Sequence, residues 1–286
     1  MVKYALLKYR TPNLGDEIQS IAAKQFLPKI NIMLNRDNIN KTKIKENTKL
    51  ILNGWFTHKP ENWPIKNERI KPLFISFHIS DKYGSSITKL TSEEALKYYK
   101  RHEPIGCRDL ETLKILKKNG IKSYFSGCLT LTLKNKFTKR TDDIYIVDVD
   151  PSINKIIPSK VKRNIHFISH FAKGKIGRFW RAQRRLDKYA RAKLVITSRL
   201  HCALPCLAFN TPVIFINKDL NDPRFKGLLK FLNSYTVDDL INQKVEINWD
   251  NPKQNPGNIE KIRKNLINRC NDFIKKDTFG NTPPLS

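Results

Sequence analysis

The feature that most constrains this chain is its rhythm. Short apolar runs alternate with amphipathic segments of helical period, twice over, with one polar break between the two series. In the N-terminal half the candidate strands are Tyr4–Lys8, Lys49–Asn53, Leu73–Phe77, Ile105–Cys107 and Ser123–Phe125, and helical patterns cover Glu17–Phe26, Ser92–Tyr99 and Leu110–Asn119. Strand runs separated by helices of this length predict a mainly parallel sheet, because parallel neighbours must be joined by a long crossover. The basic stretch Lys134–Asp143 interrupts the pattern. It restarts with strands at Ile144–Val149, Ile165–Ser169, Leu194–Thr197 and Val213–Ile216, and helices at Arg178–Ala192 and His201–Phe209. A Pro- and Asn-rich stretch, Asn248–Asn258, precedes a last helix over Ile259–Lys276. The expectation is two doubly wound α/β domains, 1–138 and 139–286, with a cleft between them and the final helix near their junction.

A chain of 286 residues can fill two such domains, and its 40% hydrophobic content, with 15 Phe, 9 Tyr and 4 Trp, supports real cores over disorder. No apolar run approaches the roughly 20 residues that cross a bilayer, and the segment MVKYALLKYR lacks the apolar stretch and cleavage site of a secretory signal, so the chain reads as cytoplasmic. Five cysteines (107, 128, 202, 206, 270) show no disulfide pattern. Cys202 and Cys206 lie four apart on an expected helix without further ligands at metal spacing, so they read as core thiols and no metal is expected. Lys and Arg total 54 against 26 Asp and Glu, a formal charge of +28. Such a charge draws nucleic acid, anionic headgroups and small anions alike. Nucleic acid is the disfavoured partner, because no zinc-finger spacing, RNA-binding aromatic signature or Arg-rich tail accompanies the charge.

Five short motifs can carry chemistry, all at expected strand ends, where α/β sheets place ligands. Asn13-Leu14-Gly15-Asp16 follows the first strand. There Gly15 can form a sharp turn and Asp16 can cap the next helix. Asn53-Gly54-Trp55-Phe56 offers backbone amides and an aromatic face that suits a sugar or seals the interior, and His78 falls on the same edge. In Gly106-Cys107-Arg108-Asp109 the arginine can grip a carboxylate or phosphate while Asp109 caps the following helix or holds Arg108. Ser126-Gly127-Cys128-Leu129-Thr130 is the fourth, with hydroxyls for a ligand or a turn. The sharpest is Leu194–Pro205, LVITSRLHCALP, in which Ser198, Arg199 and His201 stand at a strand-to-helix switch. Helix amides, the forked donors of Arg199 and the titratable His201 make an anion site with an acid built in. Ahead of it the cations Lys173, Lys175, Arg178, Arg181, Arg184, Arg185, Lys188, Arg191 and Lys193 face only Asp187. They read as a solvated helix face, one or two of whose members raise the potential of the cleft.

These motifs, in this order, and above all ARAKLVITSRLHCALPCLAFNTPVIFI at 190–216, resemble polysaccharide pyruvyl transferases over about residues 4–240. The resemblance implies a GT-B-like fold of two Rossmann-like domains, phosphoenolpyruvate as donor with no further cofactor, and a pyruvate ketal formed on a sugar or glycan, free or lipid-linked. The family's Arg-Leu-His element falls on Arg199, Leu200 and His201, next to Ser198, as donor site with His201 as acid. Its G-x-R-[DE] element falls on Gly106, Arg108 and Asp109, a second cationic contribution. Its Asn-x-Gly-Asp element falls on Asn13, Gly15 and Asp16 on the acceptor side, with Asp16 as candidate base. Asn53, Gly54, Trp55 and His78 would line the acceptor or cleft. Many members carry a glycine-rich loop where this chain has Asn53-Gly54-Trp55. The alternatives are a nucleotide-sugar-dependent glycosyltransferase on the same scaffold and a basic nucleic-acid-associated protein.

On this reading the charge of +28 steers an anionic donor and takes no part in bond making. Exposed charges more than about 10 Å apart are screened near 0.1 M salt. Added salt should therefore slow turnover at limiting donor and leave it unchanged at saturating donor; equal losses in both regimes would refute steering.

Overall fold

The computed structural model describes residues 1–56, 58–80, 86–174, 176–242, 244–276 and 279. Two wholly parallel sheets organise the chain. The first contains β1 (Lys3–Lys8), β2 (Ile32–Asn35), β3 (Thr48–Trp55), β4 (Ile70–His78), β5 (Ile105–Cys107) and β6 (Ser123–Phe125), in the order β2-β1-β3-β4-β5-β6. Between its strands the chain forms α1 (Leu14–Lys24), α2 (Ser86–Leu90), α3 (Glu93–Arg101) and α4 (Leu110–Lys118). The second contains β7 (Ile144–Val147), β8 (Ile165–Ile168), β9 (Leu194–Thr197), β10 (Val213–Ile216) and β11 (Asn233–Tyr235), in the order β11-β10-β9-β7-β8. With it come α5 (Arg178–Arg191), α6 (Leu200–Ala208) and α7 (Val237–Ile241), and α8 (Glu260–Lys275) follows. Strand order reverses between β1 and β3 in one sheet and between β7 and β9 in the other, the crevices where open α/β sheets take ligands.

The central strands read IYIV, LVIT and VIFI in the second sheet because parallel strands are covered on both faces. Ile144, Ile146, Leu194, Ile196 and Ile216 form that core with Leu240 and Trp249. The first sheet is packed by aromatic side chains, with Trp63 stacked on Phe77 at 5.5 Å and edge-on to Phe74 at 6.1 Å. Two strands exceed the expected set. β2 is a four-residue run, and β11 is Asn-Ser-Tyr, too short and polar to register as a strand. β4 starts at Ile70, ahead of the expected Leu73, since Pro72 sits within it. The helix expected from Glu17 starts at Leu14, which places Gly15 and Asp16 inside its first turn.

Contacts group the chain into one unit of Met1–Arg10, Ala23–Leu129 and Ile262–Ser286 and another of Thr11–Ala22 and Thr130–Lys261. The sequence expectation was a simple split at 138/139; this grouping gives residues 11–22 to the second unit and the residues from 262 onward to the first. The physical reason in the second unit is a set of polar ties. The Leu14 amide donates to the His170 carbonyl at 2.8 Å, the Ala172 amide donates to the Pro12 carbonyl at 2.9 Å, and Asn13 bridges Phe171 antiparallel. Buried between them, the Arg178 guanidinium donates to both Glu17 carboxylate oxygens at 2.6 and 2.9 Å and to the Asn13 carbonyl at 3.3 Å. Arg178 was expected on a solvated face; it is instead 9% exposed against 1% for Glu17. In the first unit the Lys49 ammonium plays a similar part, donating to the carbonyls of Phe273, Ile274 and Lys276 at 2.9, 2.8 and 2.5 Å at the end of α8.

Removing one partner of a buried ion pair strands the other, at a cost of about 3–5 kcal/mol. Arg178→Ala should therefore lower stability by that order, and Glu17→Leu with Arg178→Met should recover much of it. Burial pushes the Glu17 carboxyl up, and Arg178 offsets only part of this. Without Arg178 the carboxyl can escape its penalty by taking a proton, so the loss should be greatest near neutral pH and shrink toward pH 4, which denaturant titrations at several pH values would read.

Candidate functional site

At the carboxyl edge of the second sheet the chain leaves β7 through Asp148, which takes a left-handed φ of 51°, a conformation that aspartate tolerates better than most residues. This turn aims its carboxylate at the β7/β9 crevice. There Oδ2 accepts the Nε of Arg199 at 2.8 Å and the His170 amide at 3.0 Å. Ser198 Oγ donates to the Asp148 carbonyl at 2.5 Å, and Thr197 Oγ1 accepts the Arg199 amide at 2.9 Å, so the switch from β9 to α6 is fixed on both sides. Partial burial works against the Asp148 charge, but hydrogen bonds from Ser169 and the His170 amide, with the charge of Arg199, hold its carboxyl below the usual range. The Arg199 guanidinium lies 4.5 Å over the Phe171 ring and keeps about a third of its surface exposed, at 34%. A cavity of about 380 Å³ opens here, lined by Asp148, Asp150, Ser198, Asn217 and Lys218 among others.

Leu200 begins α6 and His201 follows it. Against His201 packs the first turn of α1. A Cβ on Gly15 would stand 3.1 Å from His201 Cβ, 3.3 Å from its Nδ1 and 3.1 Å from Asn13 Oδ1, so glycine is there for close approach. Its backbone is helical, which corrects the sharp left-handed turn expected of it. Asp16 does not cap the helix as expected; Asn13 Oδ1 accepts the Gly15 amide at 3.0 Å, and Asp16 accepts the Thr11 hydroxyl at 2.5 Å. Asn13, Gly15, Ser198, Arg199, Leu200 and His201 thus form one neighbourhood, with Asp16 next to Gly15 in the same first turn of α1.

The other expected residues gather at the carboxyl edge of the first sheet. Asp109 caps α4 by accepting the Thr112 amide at 2.9 Å, and it also accepts the Nδ1–H of His78 at 2.5 Å and lies 3.5 Å from Arg108 Nε. All three side chains are buried. Burial alone would raise the Asp109 carboxyl, but His78, Arg108 and the Thr112 amide hold it below the ordinary value. Trp55 pairs with His78 across β3 and β4. Just before them the register advances from Leu52↔Phe74 to Gly54↔Phe77, so β4 carries one extra residue. Ser76 accordingly has a φ of 56° and Gly54 one of 110°, the latter open only to glycine. Bulges re-aim side chains, and this one presents buried Asn53 and His78 at the strand ends.

Asp148 and His170 escaped the sequence reading. An acidic residue closing the apolar run IYIV was the available signal for Asp148. His170 had none, since its place, stacked at 5.8 Å on Tyr189 of α5, depends on a residue distant in the chain. All five cysteines are free and buried. Of the basic run, Lys175 lies outside the described residues. Among the described residues no helix is long and apolar enough to cross a membrane, and no three His, Cys, Asp or Glu side chains gather as a metal site.

Open parallel α/β sheets take ligands at the carboxyl ends of their strands, where both polar clusters lie. The family model for polysaccharide pyruvyl transferase matches residues 13–219. The chain belongs to this family of transferases, and the match takes in both clusters. No curated protein sequence matches it. Among solved structures, a functionally uncharacterised protein of Klebsiella pneumoniae is similar, with 12% identity, a TM-score of 0.47 and coverage of 82% of this chain and 92% of the other. The UDP-GlcNAc 2-epimerase of Methanocaldococcus jannaschii gives 13%, 0.36, 93% and 99% in the same terms.

A carboxyl group with a depressed folded pKa stabilises the protein above its unfolded value, about 3.9, and that contribution is lost as pH falls through the folded value. Asp148→Asn should thus lower stability at neutral pH and give a shallower fall below about pH 4. A parallel shift of the whole stability curve would count against the ion pair with Arg199.

Proposed function

We propose that the protein transfers the pyruvyl group of phosphoenolpyruvate to a sugar of a polysaccharide or glycan precursor, leaving a cyclic ketal. The observation that carries the reading is Arg199, held by Asp148 at the β7/β9 crevice with His201 one residue into α6. The family supplies the reaction class.

The chemistry has a simple balance. A proton adds to the methylene carbon of phosphoenolpyruvate and makes it a methyl group, which leaves positive charge on the adjacent carbon. One sugar hydroxyl attacks that carbon. A second hydroxyl then displaces phosphate and closes the ring. Of the two hydroxyl protons released, one replaces the proton spent on the methyl group and the other leaves with phosphate. The route needs cations for the carboxylate and phosphate, an acid, and a base near the acceptor. In this reading Arg199 meets the donor's negative charge, His201 is the acid and Asp16 the base, while Ser198 and Leu200 shape the donor pocket through their backbone. Arg108, oriented by Asp109, is assigned a second donor contact, and Asn13, Gly15, Asn53, Gly54, Trp55 and His78 the acceptor side. No cofactor enters the scheme.

Incubation with phosphoenolpyruvate and a panel of sugars should release phosphate and add the mass of a ketal. Turnover only with a nucleoside-diphosphate sugar would replace this reading by glycosyl transfer. Arg199→Ala should chiefly weaken donor capture, since arginine stays charged and does not give up its proton. His201→Gln should keep donor binding and lose turnover by about 10²–10⁴-fold, the usual worth of a general acid. If that variant binds phosphoenolpyruvate normally and turns over within about threefold of the parent, well short of that loss, the acid is another residue, with Asp109 and His78 next in line.

A further inference from the structure

We propose that the surface carrying Phe167, Ile176, Trp180, Arg181 and Arg184 docks the protein onto an anionic phospholipid bilayer. Four of the seven most exposed large apolar side chains among the described residues fall in one short stretch: Phe167 at 58%, Phe171 at 48%, Ile176 at 88% and Trp180 at 60%. A run of such side chains in water is unfavourable unless something covers it. On α5, Ala182, Leu186 and Tyr189 are buried at helical spacing, whereas Trp180, Arg184 and Arg191 are exposed on the opposite face. The helix therefore presents an apolar end and a basic stripe on its free side.

The chemistry of this face selects its partner. Its one acidic residue, Asp187, is already matched by Lys136 at 3.0 Å, so the stripe keeps its positive charge. The Arg184 guanidinium lies 4.7 Å over the Trp180 ring, an aromatic and cationic pairing suited to the headgroup layer, where one end of tryptophan is wet and the other apolar. Nucleic acid would use the cations and stack on the indole, but it offers nothing to the aliphatic Ile176, the most exposed of the four. Hydrocarbon does, and an amphipathic helix with Lys and Arg on one side and Trp and Phe on the other lies in the plane of such an interface. Phe171, whose ring carries the Arg199 guanidinium, joins this patch to the donor cluster. A glycan acceptor carried on a lipid would thus be presented beside Arg199. That last link rests on the functional reading above; bilayer binding does not.

The test is flotation of the whole protein with phosphatidylcholine vesicles and with vesicles that also contain phosphatidylglycerol, in the absence of donor and sugar. A transfer reading that fails leaves this measurement intact. The protein should float with the anionic vesicles only, and vesicles with brominated acyl chains should quench its tryptophan emission. Arg181→Glu with Arg184→Glu should weaken binding by roughly fivefold or more per cation, the equivalent of about 1 kcal/mol each near an anionic surface. Ile176→Ser with Trp180→Ala should remove the quenching and most of the binding, while phosphate release with a soluble sugar stays within about twofold of the parent, since neither residue belongs to the site. Equal flotation with both vesicle types, absence of quenching in the parent, or retention of an RNA oligomer in place of vesicles would each overturn the proposal.

Discussion

The ion pair between Glu17 and Arg178 is the constraint on which the second unit depends. The chain finishes β1, sends residues 11–22 into that unit, and must satisfy a carboxylate that has left water. Arg178 does this with two hydrogen bonds and spends a third donor on the Asn13 carbonyl. The same tie fixes the start of α1, and through Gly15 the packing of its first turn on His201. A helix that begins in the wrong place would misplace the one histidine that stands at the end of β9. Buried ion pairs are weak sources of net stability, so register is what this one contributes.

Both sheets then use one device at their carboxyl ends. A carboxylate accepts hydrogen bonds from the neighbouring backbone and holds a basic side chain by its remaining capacity. Asp148 holds Arg199, and Asp109 holds His78 with Arg108 close by. The two arginines are held in place by the protein's own carboxylates. Their burial differs. Arg199 keeps a third of its surface in contact with water, while Arg108 is almost wholly enclosed, at 4% for its side chain. Water reaches the first guanidinium and is kept from the second.

Much of this was legible in the sequence, because the strand ends carry Gly, Asn, Arg and His where a plain α/β protein needs only turns. The central strands, the major helices and the switch at Arg199 follow from hydrophobic periodicity, which local sequence contains. What stayed hidden depends on contacts between distant residues. Arg178 looks like every other cation on α5 until Glu17 is brought to it. Asp148 looks like a strand terminus until β9 is laid beside β7. Gly15 reads as a turn glycine, and only the approach of His201 shows that it is there for its lack of a side chain. β11, with the sequence Asn-Ser-Tyr, has no periodicity to read and owes its place to pairing with β10.

The Lys49 ammonium, seated in the terminal carbonyls of α8, bears on how the chain is made. A ribosome delivers β3 long before α8, so Lys49 waits in water while more than two hundred residues follow, since its partners lie at 273–276. The second unit, by contrast, has all its segments once Lys261 has emerged. Domains usually mature in the order of synthesis. Here the unit that starts first is the one that closes last, and chaperones acting on the nascent chain would meet a first sheet without α8 until residue 276 has emerged.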